Sequence, residues 1–200
     1  MTSFEPFQQE RDPRAGTRRL VSRTQLHLVA LGLGVAVAAF VVVWLVTSGG
    51  SSGTPKPNSG PTIVSQAELV RFAGSLDYPV YWTGSHAGYS YELTSARRRV
   101  WVRYLTAGVK AGAPRAGFLV VGTYEQPHAY ADLKRAARQA GTVSKSIADG
   151  GLLVYNPQRP TSVYFSYPGA RYQVEVYAPS PATARLLVLD GKVTPVGSTR

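Results

Sequence analysis

The 200-residue chain has no cysteine, one methionine, three histidines, and only 11 acidic residues against 22 Lys and Arg. Without cysteine the chain can form no disulfide and carry no lipid-modified N-terminal Cys, so any folded part depends on its core alone. Beyond position 60 there are two histidines, His86 in a Gly-rich segment and His128 four residues before Asp132. A metal site would need a further convergent ligand that the local sequence does not supply, so no metal or cofactor is expected. The acidic residues from Thr62 onward are Glu68, Asp77, Glu92, Glu125, Asp132, Asp149, Glu175 and Asp190, scattered rather than clustered. Glu92 and Glu175 are the pair that could in principle serve a glycosidic bond, although Arg103 already offers Glu92 a structural partner. The segment Gly84–Gly88 (GSHAG) has histidine where a nucleophile elbow needs serine, and no phosphate-binding glycine loop or Walker signature occurs. No catalytic residue is therefore assigned, and an extracytoplasmic hydrolase is the competing class.

What the chain does have is one apolar run, Leu28 to Val46, nineteen residues without a charge. At about 1.5 Å per residue it covers roughly 28 Å, close to the hydrocarbon thickness of a bilayer. Arg11, Arg14, Arg18, Arg19 and Arg23 precede it, and the first basic residue after it is Lys56. Positive charge stays on the cytoplasmic side, so the pattern predicts an N-terminus inside, a spanning helix over 25–46 and the remainder outside, in contact with the bilayer through Leu28 to Val46. A cleaved signal peptide is the rival reading. Its apolar region would be shorter, about 7 to 15 residues, and would end at a small-residue cleavage site.

Composition divides the rest. Residues 1–24 are polar and of mixed charge, a disordered cytoplasmic arm. Residues 47–61 (TSGGSSGTPKPNSGP) form a Gly/Ser/Pro linker. All 12 tyrosines lie beyond it, so 62–195 is the extracytoplasmic domain and 196–200 a tail.

Within the domain, Ser65 and Glu68 form a capping box ahead of Leu69, Phe72, Ala73 and Leu76 at helical spacing. Pro79–Thr83 reads as a short strand. Tyr89–Thr94 and Val100–Leu105 alternate with period two about a loop at Ala96–Arg99, a hairpin that sets Glu92 opposite Arg103. Gly117–Tyr124 suits a central strand. Pro127 opens a helix with Tyr130, Leu133, Ala137 and Ala140 on one face, stopped by Gly141. Thr142–Ile147 fits a strand or a loop, while Gly151–Tyr155, Ser162–Tyr167 and Arg171–Tyr177 are strands. Ser180 and Pro181 introduce a helix over Ala182–Leu189, although Leu186–Leu189 would also suit a strand. The prediction is an α+β fold: an antiparallel sheet with two or three helices packed to one side. Its two halves share an order that fits either a duplicated helix-plus-strands unit or ordinary alternation.

Beyond the apolar run stand 17 Lys and Arg against eight Asp and Glu, a net of +9. Arg97, Arg98 and Arg99 crowd one hairpin tip, with Trp101 and Arg103 following and Trp82, His86, Tyr89 and Tyr91 preceding. These nine residues are the candidate binding surface. Outside a cell the partners such a field favours are anionic lipid headgroups or wall polymers, and no nucleic acid is expected. A solvated face that keeps the domain soluble is the plain alternative. In architecture and in its Ala-, Gly-, Arg- and Val-rich composition the chain resembles small, single-pass, membrane-anchored proteins of unknown function from high-GC actinobacteria. That resemblance implies the tethered layout and gives no residue a role.

Overall fold

In a computed structural model of the protein, which describes residues 58–114 and 117–198, the Ser65 capping box forms as its spacing requires. The Ser65 hydroxyl accepts from the Glu68 amide at 3.2 Å, and the Glu68 carboxylate accepts from the Ser65 amide at 2.7 Å. The elements run β1 (Thr62–Val64), α1 (Gln66–Gly74), β2 (Tyr81–Trp82), β3 (Tyr89–Ala96), β4 (Arg99–Thr106), β5 (Val120–Glu125) and α2 (Ala129–Ala136). They continue with β6 (Val143–Ser146), β7 (Leu152–Tyr155), β8 (Ser162–Ser166), β9 (Tyr172–Tyr177), α3 (Pro181–Leu189) and β10 (Thr194–Pro195). The expected arm, the apolar run Leu28–Val46 and most of the linker lie outside the described residues. Among the described residues no helix is long and apolar enough to cross a membrane.

The fold is α+β, with an antiparallel sheet of eight strands in the order β1-β3-β4-β5-β9-β8-β7-β6. A separate two-stranded ribbon pairs β2 with β10. Alternation along the strands builds two rows of opposite character. On one face Leu93, Val102, Val121, Val176 and Val163 stand side by side across five strands, all fully buried. They share one core with Leu69 and Phe72 of α1, Tyr81 and Trp82 of the ribbon, and Ala184 and Val188 of α3. On the other face the row is Thr94, Trp101, Gly122, Glu175, Tyr164 and Val154. Helix α2 packs over β7, β8 and β9, and its buried Ala129, Leu133 and Ala136 stand apart from the first core. It therefore covers this second face.

This corrects the one-sided packing expected from sequence, because local patterns show that a helix has an apolar face and not which side of a sheet receives it. Helix α2 also ends at Ala136 rather than Gly141, and Ala140 is exposed. Gly117–Leu119 precede β5 rather than join it. Two short strands, β1 and β10, were not anticipated, since two or three residues carry no period. The expected boundaries shift as well. Asn58 and Ser59, at the end of the expected linker, are hydrogen-bonded to the β3–β4 hairpin. Val196, at the start of the expected tail, donates to the Val80 carbonyl at 2.7 Å and packs on the core.

The sheet halves mirror one another in strand order, β1-β3-β4-β5 against β6-β7-β8-β9 counted inward from each edge. The elements between them do not. β2 leaves the large sheet for its ribbon with β10, whereas β6 forms an edge of the large sheet.

Candidate functional site: the arginine hairpin and the buried carboxylates

The β3–β4 hairpin carries seven of the nine candidate residues, in the register its alternation predicts, with Glu92 opposite Arg103. Its turn is only two residues long. Arg97 (φ 50°) and Arg98 (φ 59°) both occupy the left-handed region, as a type I′ hairpin turn requires, although Asn and Gly are the residues that enter it most easily. The conformation is held from outside. The Asn58 side chain accepts from the Arg97 amide at 2.8 Å, and the Arg98 carbonyl accepts from the Glu125 amide at 3.1 Å. The Arg98 guanidinium bridges Asp77, at 3.0 Å, and Glu125, tying the segment after α1 and the end of β5 to the tip. Arg97 and Arg99 are exposed and make no ion pair among the described residues.

At the other end of the hairpin, about 24 Å away at strand rise, Tyr91 and Tyr104 reach up from the apolar face to the Gly84–Gly88 loop. The Tyr91 hydroxyl accepts from the His86 amide at 3.0 Å. The Tyr104 hydroxyl accepts from the Thr83 amide at 2.8 Å and donates to the Gly84 carbonyl at 3.2 Å. Burial pushes the Tyr104 phenol up to about 12 against the opposing pull of the Thr83 bonds. His86 packs edge-on against Tyr104, ring centres 5.4 Å apart, with its Nε2 3.1 Å from the Thr83 hydroxyl. Trp82 and Tyr91 are buried core residues, so only His86 and Tyr89 of this group face solvent.

Trp101 and Arg103 lie on the opposite face. Arg103 donates to the Glu92 carboxylate at 2.7 Å and to the Ala113 carbonyl at 2.9 Å, with its guanidinium 5.2 Å from the centre of the Phe118 ring. Glu92 also accepts from the Gly112 amide at 2.6 Å. Glu92 is buried and Arg103 half-buried, and together they pin the segment after β4 onto the sheet. The nine residues thus occupy three places: the His86 end, the arginine tip and the covered face. His86 and Glu92 do not converge, because Tyr91 and Glu92 are adjacent strand residues on opposite faces and His86 sits on the side of Tyr91.

One cluster was not visible in sequence. Glu175, in the middle of β9, is almost wholly buried, and its carboxylate accepts from the Tyr124 hydroxyl at 2.5 Å and the Tyr164 hydroxyl at 3.0 Å. Trp101 Nε1 in turn donates to the Tyr124 hydroxyl at 3.1 Å. Burial raises the Glu175 carboxyl above its ordinary value, opposed by hydrogen bonds from Tyr124, Ser162 and Tyr164. Gly122, beside Glu175 in the register, makes the arrangement possible: a Cβ there would lie 2.5 Å from the Tyr124 hydroxyl. The glutamate reads in sequence as one more polar position on an alternating strand. Glu92 stands three strands away, about 14 Å at sheet spacing, so the two carboxylates do not form a pair about one bond. Among the described residues no three His, Asp or Glu gather to hold a metal ion.

The class defined by this architecture is an α+β domain whose antiparallel sheet is covered on both faces. No family model matches the chain, and no curated protein or solved structure is significantly similar to it.

Proposed function

We propose that the protein is a single-pass, membrane-anchored binding module whose extracytoplasmic domain engages anionic components of the cell envelope. The observation that carries this reading is how the domain distributes its charge. Six of its eight acidic side chains have internal partners: Glu68 with Ser65, Asp77 and Glu125 with Arg98, Glu92 with Arg103, Asp132 with Gln126 and Arg135, and Glu175 with its tyrosines. Arg98, Arg103 and Arg135 are taken up by these pairs, and most of the other cations remain outside. Arg97, Arg99, Lys110, Lys134, Arg138, Lys145, Arg159, Arg171 and Lys192 are all exposed. A surface of this kind raises the local concentration of anions and is screened by salt. The apolar run and its upstream arginines support placement of that surface outside the membrane, where lipid headgroups and acidic wall polymers are the anions at hand. The mirrored strand order also supports descent of the sheet from a duplicated strand unit, with the helices added differently in each half.

The test is co-sedimentation of the full chain, its anchor held in neutral phosphatidylcholine nanodiscs free of detergent, with insoluble wall material carrying acidic polymer and with phosphatidylglycerol-containing vesicles. Binding at about 50 mM salt that is lost at about 500 mM is the expected result. Binding to neither at low salt would overturn the reading.

A further inference from the structure

The geometry points to the arginine tip as the membrane-facing end of the domain, with Arg97, Arg99 and Arg171 contacting the phosphates of anionic lipid headgroups in the bilayer that anchors the chain. The inference rests on the anchored reading above and adds an orientation and a contact surface to it. Asn58 and Ser59 are the last described residues on the side of the apolar run, and both are fastened to the hairpin tip. Asn58 accepts from the Arg97 amide at 2.8 Å, and the Ser59 carbonyl accepts from the Ser95 amide at 3.0 Å. The chain therefore leaves the domain toward the membrane from the arginine tip itself.

The same end of the sheet also presents the β8–β9 turn, since the Arg171 carbonyl accepts from the Gln126 amide at 2.8 Å just beyond β5. Arg98 is paired with two carboxylates, Asp77 and Glu125, a trio of net charge −1, while Arg97, Arg99 and Arg171 are exposed cations without an ion pair among the described residues, so these tip groups together carry +2. The opposite end, with His86, lies about 24 Å further along the hairpin. Eleven residues, 47–57, separate Val46 from Asn58, and their covalent geometry limits that stretch to a reach of at most roughly 40 Å. Turning the His86 end to the bilayer would use more than half of that reach in running back along the hairpin, whereas the tip, where Asn58 is fastened, needs little of it.

The absence of cysteine permits unique labelling. The full chain carrying A96C at the tip or A87C in the His86 loop, each coupled to a donor dye, is incorporated in nanodiscs containing a headgroup-labelled acceptor lipid. The discs are made of phosphatidylcholine with or without about one-third phosphatidylglycerol. Expected is stronger energy transfer from position 96 than from 87, and a fall at 96 when phosphatidylglycerol is left out. R97N/R99Q should also weaken transfer at 96, because each cation near an anionic surface is worth about fivefold, or about 25-fold for two in the ratio of docked to undocked tip. Asn enters the left-handed turn more easily than Arg, so this variant retains the hairpin. Equal transfer from both positions, or transfer at 96 indifferent to lipid charge and to R97N/R99Q, overturns the inference while leaving the anchor intact. A chain that does not co-elute with the nanodiscs overturns the anchored reading, and the inference with it.

Discussion

Replacing Gly122 by alanine tests whether the buried carboxylate network is built on an absent side chain. The new Cβ would lie 2.5 Å from the Tyr124 hydroxyl, 2.8 Å from Cζ of the same ring and 3.1 Å from Trp101 Cδ1. The ring is the part that can yield, and its hydroxyl would leave the 2.5 Å bond to Glu175. A hydrogen bond to a charged group contributes about 1.5–3 kcal/mol, and overpacking a core costs about 1–3 kcal/mol. Alanine recovers about 0.5–1 kcal/mol over glycine within a strand. The net expectation for G122A is a loss of about 2–5 kcal/mol, a large part of the stability of a domain this size. Urea denaturation of the full chain in detergent, followed by tryptophan fluorescence, measures it. At a slope of about 1–3 kcal/mol per molar the midpoint falls by about 0.7 M or more. In a Y124F background the hydroxyl bond is already absent, so the same glycine substitution costs less, by about the hydrogen-bond contribution. A neutral or stabilising G122A, or costs of G122A and Y124F that simply add, would refute the argument.

Removing Arg103 as R103M strands the buried Glu92 carboxylate and should cost about 3–5 kcal/mol in the same assay, with E92Q/R103M recovering a substantial part of the loss. A cost below about 1 kcal/mol would show that Glu92 is satisfied without it. Burial holds the Glu175 carboxyl above its unfolded value, so its contribution to stability is fullest below the ordinary carboxylate range and is lost as pH rises through the raised folded value. The stability difference between wild type and E175Q, read by urea denaturation across that interval, should shift against wild type with increasing pH; a pH-independent difference would contradict the assignment. Substituting the helix cap, S65A, should cost about 1 kcal/mol, while Q66A, at an exposed helical position outside the capping box, should not.

Much of the fold was legible because its signals are local. The Ser65 and Glu68 pair, the alternation of β3 and β4, and Pro181 at the start of α3 each state a conformation within a few residues. The register of the hairpin followed from centring it on Ala96–Arg99, although Ala96 and Arg99 prove to be the last strand pair around a two-residue turn rather than loop. The site was less legible. Alternation placed Glu92, Trp101, Arg103 and Glu175 on polar strand faces, and polar faces are normally wet. Here α2 and the segment after β4 cover them, so Arg103 became an internal brace and Glu175 a buried acceptor. Likewise, nine residues close in sequence proved to be spread over two faces and both ends of one hairpin, because strand geometry separates neighbours that a linear reading groups together.

By itself the sequence determined the apolar run and the charge around it, the lack of disulfides, the excess of cations, and the local elements, since composition and short-range periodicity carry all of these. Only the tertiary structure decided which face of the sheet each helix covers, which acids are engaged internally, that Gly122 makes room for the Tyr124–Glu175 bond, and that Asn58 is fastened to Arg97. These depend on contacts between segments far apart in sequence, formed only when burial brings the segments together.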